Sequence, residues 1–175
     1  DTVIFESAVI NEYIDEAYPP TLQPEDLLLK AKNRSWVEFS NNISLYTFQL
    51  SVKEEKIDFE RVLEELLDDF DRVEEYLWAE PFFNGKQFSL VDASYAPIFQ
   101  RLNFLEQIYK PIIIKDRYPK LINWKDNLLS LKAVKESTVA EIQNLYYQLL
   151  WTRQGYISSY LSEKEYGKRQ PKKLY

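Results

Sequence analysis

Apolar residues recur every three to four positions along most of this chain, the period of amphipathic helices. The opening stretch differs. Residues 2–5 are β-branched and aromatic, which predicts a short strand. Ser7 follows where a helix N-cap belongs, and Ile10, Ile14 and Ala17, with Tyr13 beside them, fall at helical spacing. Residues 18–24 hold Pro19, Pro20 and Pro24, which no helix continues through, and read as a linker. From Glu25 the period becomes sustained: Leu29, Trp36, Phe39, Ile43, Tyr46 and Leu50 make one stripe, predicting a helix of up to about seven turns.

A second long helix has Phe59, Val62, Leu66, Phe70, Val73 and Leu77 as its stripe. Acids crowd its other faces, among them Glu64, Asp68, Asp69, Asp71 and Glu74, a pattern that reads as a solvated face rather than a cation site. Asn84-Gly85 supplies a turn. Ser89 followed three residues later by Asp92 is a capping box with the shorter acid, and Phe88 can pack back on the helix it opens. That helix carries Tyr95, Ile98, Phe99, Leu102 and Leu105, with a bend expected at Pro97. Pro119 opens another helix at its first position, with Leu121, Trp124 and Leu128 inward. A last helix is expected from about residue 134 to Gly155, its natural stop. The pattern is a five-helix bundle preceded by the end of something else.

Composition narrows the chemistry. The 175 residues are 45% hydrophobic and include only 3 glycines, which fits a large helical core and disfavours a Gly-rich phosphate loop. With no cysteine and no histidine, these residues can build neither a zinc site of the usual ligands nor a Ser-His-Asp triad nor a Cys-His pair. No metal is therefore expected. The absence of cysteine fits a reducing compartment such as the cytoplasm. A net charge of −6 disfavours nucleic acid as a partner. The basic cluster Lys168, Arg169, Lys172 and Lys173 reads as a solvated tail. No apolar run of about 18 residues spans a membrane. The chain lacks a methionine and begins at Asp1, so it is expected to be a segment of a longer protein.

Glu6 and Ser7 stand at a strand-to-helix junction. An acid and a hydroxyl at a positive helix end suit an α-amino acid head, the amides and hydroxyl taking its carboxylate and Glu6 its ammonium. The plain alternative is a cap beside a favourable charge. Trp36, Phe39, Ile43, Tyr95 and Phe99 likewise read either as ordinary core or as the wall of an apolar pocket. Asp92, in its capping position, reads as structural rather than catalytic.

Four segments in order resemble the glutathione transferases: Phe5-Glu6-Ser7-Ala8-Val9-Ile10, the linker from Tyr18-Pro19 through Leu22-Gln23-Pro24, Lys30-Ala31 with Asn33-Arg34, Trp36 and Phe39, and Phe83-Asn84-Gly85 through Ser89-Leu90-Val91-Asp92-Ala93. The resemblance runs to about Tyr156, and the first and second segments sound most like omega-type, tau-type and related bacterial members. It implies a mainly α fold: a helical bundle like the C-terminal domain of that family (25–175), joined by a linker (19–24) to the last strand and helix of a thioredoxin-like α/β domain (1–18). It also implies glutathione as co-substrate held by Glu6 and Ser7, and a catalytic Cys, Ser or Tyr upstream of residue 1. An apolar electrophile between the domains would touch Trp36, Phe39, Ile43, Tyr95 and Phe99. The Ser89–Asp92 box would start the buried central helix. The expected activity is transfer of the glutathione thiol, or glutathione-dependent thiol exchange, in a cytoplasmic detoxifying homodimer. Val37, Leu45 and Phe48 are extra apolar positions available to a second subunit or to other parts of the protein. The alternative is a non-catalytic relative used as a protein-interaction module.

Overall fold

The structure, a computed structural model, describes residues 2–78 and 81–167. The basic cluster of Lys168, Arg169, Lys172 and Lys173 lies outside the described residues. Eight α-helices succeed one another among these residues: α1 (Ser7–Ala17), α2 (Leu27–Val52), α3 (Lys56–Tyr76), α4 (Leu90–Ile108), α5 (Pro119–Ser130), α6 (Lys132–Lys135), α7 (Ile142–Arg153) and α8 (Glu163–Tyr166), with a 3₁₀ turn at Tyr156–Tyr160 before the last.

The mainly helical expectation holds, with two corrections. Residues 2–5 form no strand: a strand needs a ladder partner, and none stands beside them among the described residues. The expected helix from 134 to Gly155 is split into α6 and α7. Ser137 explains the break. Its hydroxyl donates to the Val134 carbonyl at 2.7 Å and its amide points to the same oxygen, and β-branched Thr138 and Val139 follow. Such local bonds and stiff side chains favour a turn over helix.

Helix α2 opens on Asp26, whose carboxylate accepts from the Leu29 amide at 2.7 Å. It packs against both α3 and α4. Helix α4 runs unbroken through Pro97 and carries the centre of the core, with Tyr95, Phe99 and Leu102 wholly buried. Trp124 from α5 meets Tyr95, Phe99 and Phe83 at centroid distances of 4.8, 5.0 and 5.3 Å. Each such pair adds about 0.5–1.5 kcal/mol beyond the area it buries. At the far end, Gly155 lies so close to the end of α2 that a Cβ there would sit 2.9 Å from the Ser51 carbonyl oxygen. The next amide, Tyr156, donates to the Lys53 carbonyl at 2.6 Å.

The acidic face of α3 is less idle than its pattern suggests. The Glu74 carboxylate accepts from the Lys120 and Leu121 amides at 2.9 and 2.7 Å, capping α5 from outside. Asp71 takes a two-pronged bond from Arg117, which holds its carboxyl below the ordinary range. Asp69 is buried, with Arg72 3.7 Å from Oδ1 and no hydrogen-bond partner at Oδ2 among the described residues. The buried Tyr95 hydroxyl also lacks one.

Burial holds the Asp69 carboxyl above its ordinary value, with Arg72 pulling it down and Asp68 pushing it up. The folded protein therefore takes up this proton at a higher pH than the unfolded chain. Ionisation costs stability at neutral pH, and the cost is relieved as pH falls through the raised value. Asp69→Asn is expected to raise Tm at pH 7 by about 2–4 °C. The gain should shrink as pH falls from neutral into the ordinary carboxylate range. Thermal unfolding of the two proteins across that pH series checks this.

Candidate functional site

The N-terminus of α1 is built differently from its sequence reading. Ser7 is the first helical residue rather than the cap; the cap position belongs to Glu6, whose carbonyl accepts from Ile10 at 2.9 Å. Glu6 has φ 67° and ψ 115°, a left-handed conformation that strains a residue with a side chain. Among the described residues no side chain caps this helix end. The first-turn amides, which lack intrahelical acceptors, thus keep their partial positive charge.

Ser7, Ala8 and Asn11 form one edge of a cleft of about 630 Å³. Its other walls come from α2, α4 and α7, and Glu6 is not among the lining residues. Two features set its chemistry. The first is a stripe of small hydroxyl residues on α2, Ser40, Ser44, Thr47 and Ser51, spaced three and four apart on one face. Several of these hydroxyls are turned inward: Ser40 donates to the Val37 carbonyl, Thr47 to Ile43 and Ser51 to Thr47. Ser51 also bonds Tyr146 of α7 at 2.7 Å. Burial raises the Tyr146 phenol above its ordinary value, so it is neutral near pH 7. The second feature is charge. Arg101 and Arg153 line the cleft, and among the described residues no Asp or Glu does. In a chain of net charge −6, this is a locally positive surface.

None of the five expected wall residues lines the cleft. Ile43, Tyr95 and Phe99 have zero exposure in the core, while Trp36 and Phe39 pack on it, Trp36 lying 4.8 Å from Tyr76 and 5.4 Å from Phe83 between ring centroids. The aromatic stripe of α2 faces inward and its hydroxyl stripe faces the cleft. The apolar lining comes instead from side chains such as Val37, Phe48, Ile98, Phe104 and Leu149. Of the extra apolar positions on α2, Val37 and Phe48 thus reach the cleft, and Leu45 is exposed. The regular spacing of the serines was the signal for this wall, and it was legible only to a search for small residues.

Asp92 sits apart from the cleft, with zero exposure. Its Oδ1 accepts from the Phe83 amide at 2.8 Å and from Trp124 Nε1 at 2.7 Å; its Oδ2 accepts from the Ser89 amide and hydroxyl, both at 2.8 Å. The reciprocal box with Ser89 opens α4. Burial raises the carboxyl and these donors pull it back. With every bond donated to it and no solvent access, it has no route to a substrate proton. Among the described residues no group of three or more His, Cys, Asp or Glu is arranged to hold a metal ion, and no helix is long and apolar enough to cross a membrane.

The comparisons with known proteins agree with this architecture. Residues 58–126 match the family model described as the C-terminal domain of glutathione S-transferase. Glutathione S-transferase omega-1 of Sus scrofa is 32% identical over 154 residues, covering 83% of this chain and 62% of that protein. The omega-1 protein of Rattus norvegicus is 35% identical over 155 residues, with the same two shares. The tau class glutathione S-transferase of mango, Mangifera indica, superposes with a TM-score of 0.71 at 20% identity, covering 84% of this chain and 71% of that one, a likeness of fold. The chain belongs to the glutathione transferase family. It spans 62% of the length of these two omega-1 relatives.

Asp92→Ala would strand the Phe83, Ser89 and Trp124 donors in the core. At about 1–3 kcal/mol for each buried donor, partly relieved by relaxation, the expected loss is about 3–5 kcal/mol. Chemical denaturation checks the magnitude.

Proposed function

We propose that this chain supplies the glutathione-binding helix end and the second-substrate cleft of a glutathione transferase whose thiol-activating Cys, Ser or Tyr lies upstream of residue 1. The observation that carries the reading is the uncapped N-terminus of α1, with Ser7 at the edge of a cleft that holds two arginines and no acid. Glutathione carries two carboxylates and one ammonium, so it is a net anion that such a surface attracts. The Ser7 hydroxyl and the first-turn amides take the γ-glutamyl carboxylate, and Glu6, exposed beside them, takes the ammonium. Linear charge complementarity of this kind orients the tripeptide without activating it. Its thiol becomes a nucleophile only when a neighbouring group lowers its pKa or exchanges with it. The names of the relatives support the activity, transfer of the glutathione thiol to an electrophile or glutathione-dependent thiol exchange.

The apolar electrophile rests on the side chains that line the cleft, Val37, Phe48, Ile98 and Leu149, rather than on the buried aromatic stripe. No metal takes part. The protein works in the cytoplasm as a homodimer, a reading supported by exposed apolar residues at Leu27, Leu28 and Leu45 on α2.

Ser7→Ala in the full-length protein is expected to weaken glutathione binding by about 1–3 kcal/mol, the cost of losing a hydrogen bond to a charged group. Isothermal calorimetry decides it, and unchanged affinity in both Ser7→Ala and Glu6→Ala would refute the site. Sedimentation of the full-length protein at micromolar concentration should show a dimer; a monomer mass insensitive to dilution and salt refutes that part.

A further inference from the structure

The cleft has two ends. Glu12 of α1 pairs with Arg34 at 2.6 Å and Glu16 with Lys30 at 3.2 Å, so α1 runs back along α2 and brings Ser7 beside Val37 and Asn41. The other end is closed by α7. There the Tyr146 hydroxyl bonds Ser51 at 2.7 Å, and Gly155 abuts the last turn of α2. At a helical rise of about 1.5 Å per residue, the stretch from Asn41 to Ser51 puts roughly 15 Å between the two ends.

The α7 end is made within the helical bundle and owes nothing to α1: Phe48 and Ser51 come from α2, Phe104 from α4, and Tyr146 and Leu149 from α7. Both arginines belong to it. Arg153 closes α7 two residues before Gly155, and Arg101 follows Ala93 and Ser94 by about two turns of α4. Arg101 donates to the Pro97 carbonyl at 2.8 Å and stands near enough to Tyr146 to pull its phenol down against burial. Among the described residues neither arginine is in an ion pair.

A cation suits the last turn of a helix, which accounts for Arg153 as a surface residue. It does not account for two cations on one apolar cleft that no acid shares, in a chain where 28 acids outnumber 22 bases. A neutral apolar ligand would fill the walls and leave both guanidinium groups without a partner. An exposed ion pair alone would be worth little, but an apolar wall that keeps water from one side strengthens it. An amphipathic anion answers both halves of the surface, and the guanidinium fork matches a carboxylate.

We propose that Arg101 and Arg153 select an amphipathic acid as the second substrate, its apolar body on Phe48, Phe104 and Leu149, its carboxylate at the two arginines and its electrophilic centre towards Ser7. The inference rests on the reading of Ser7 as part of the glutathione site. The arginines meet the acid group and not the reacting atoms, so they decide which electrophile is accepted.

The test is calorimetry on the full-length protein with biphenyl-4-carboxylate and its neutral carboxamide as probes. The carboxylate should bind about tenfold more tightly, a preference that shrinks as salt is raised. Both arginines are exposed, so Arg101→Gln and Arg153→Gln should fold; each should remove part of the preference and the double variant all of it. Equal affinities in the wild type overturn the proposal, as does a preference that survives the double variant. So does a double variant that weakens glutathione and spares the carboxylate probe, since the arginines would then serve the glycyl end of glutathione. With glutathione present, kcat/KM for an aryl enone bearing a carboxylate should exceed that for its carboxamide by about tenfold. No turnover of the acid enone, or no preference for it, overturns the claim that the bound acid is a substrate. If Ser7→Ala leaves glutathione affinity unaltered, the glutathione reading has failed, and the two probes still decide the arginine site.

Discussion

The Asp92 carboxylate is the constraint on which the bundle depends. Buried with no solvent exposure, it satisfies four donors from three places: the Phe83 amide in the turn after α3, the Ser89 amide and hydroxyl at the start of α4, and the Trp124 indole of α5. A buried charge is expensive unless its hydrogen-bonding capacity is filled, and here it is filled from outside its own helix. The same bonds that neutralise this cost fix where α4 begins and which face of α5 meets it. Trp124 can lie against Tyr95 and Phe99 because its ring nitrogen is already committed. The aromatic core thus inherits its geometry from one polar group, and the specificity of the packing is polar in origin.

That rigid centre frees the opposite face of α2 for another use. Two stripes run along the helix. One is aromatic and faces the core; the other is Ser40, Ser44, Thr47 and Ser51 and faces the cleft. Small side chains leave room between α2, α4 and α7, and the hydroxyls of Ser40, Thr47 and Ser51 are satisfied by carbonyls of their own helix, with Tyr146 also bonding Ser51. Arginines then set the sign of its potential. A pocket made by small residues differs from one made by large ones: it is defined by what is missing from the face.

This difference marks the boundary of what was legible in the sequence. Long helices with strong apolar periods, α2, α3 and α4, are where the pattern places them, and so are Pro119 at the start of α5 and the Ser89–Asp92 box. Local signals were decisive there because each is self-contained in a few residues. The failures share one cause, dependence on a neighbour. Residues 2–5 have the composition of a strand but a strand is a property of a pair. The break between α6 and α7 follows from hydrogen bonds of Ser137 that compete with a continuing apolar pattern. The expected wall residues lie in or on the core rather than along this cleft: Trp36, Ile43, Tyr95 and Phe99 announce themselves by size, and helical spacing alone cannot say whether a stripe faces core or cleft. Glu74 as a cap for α5, and Asn33 as a buried partner of Gln23, join residues far apart in the chain and left no local mark.

Stability is therefore distributed unevenly, and the unevenness suits the site. The bundle around α4 is held by dense aromatic contact and by a saturated carboxylate; among the described residues, α1 meets it through half-buried Ala8 and Ile10, a few hydrogen bonds and two exposed ion pairs. Segments of the second kind open at lower free energy than the core to which they are attached. The strained Glu6 backbone at the head of this helix belongs to the same economy: a conformation costing of order 1–3 kcal/mol persists where the surrounding structure holds it in place.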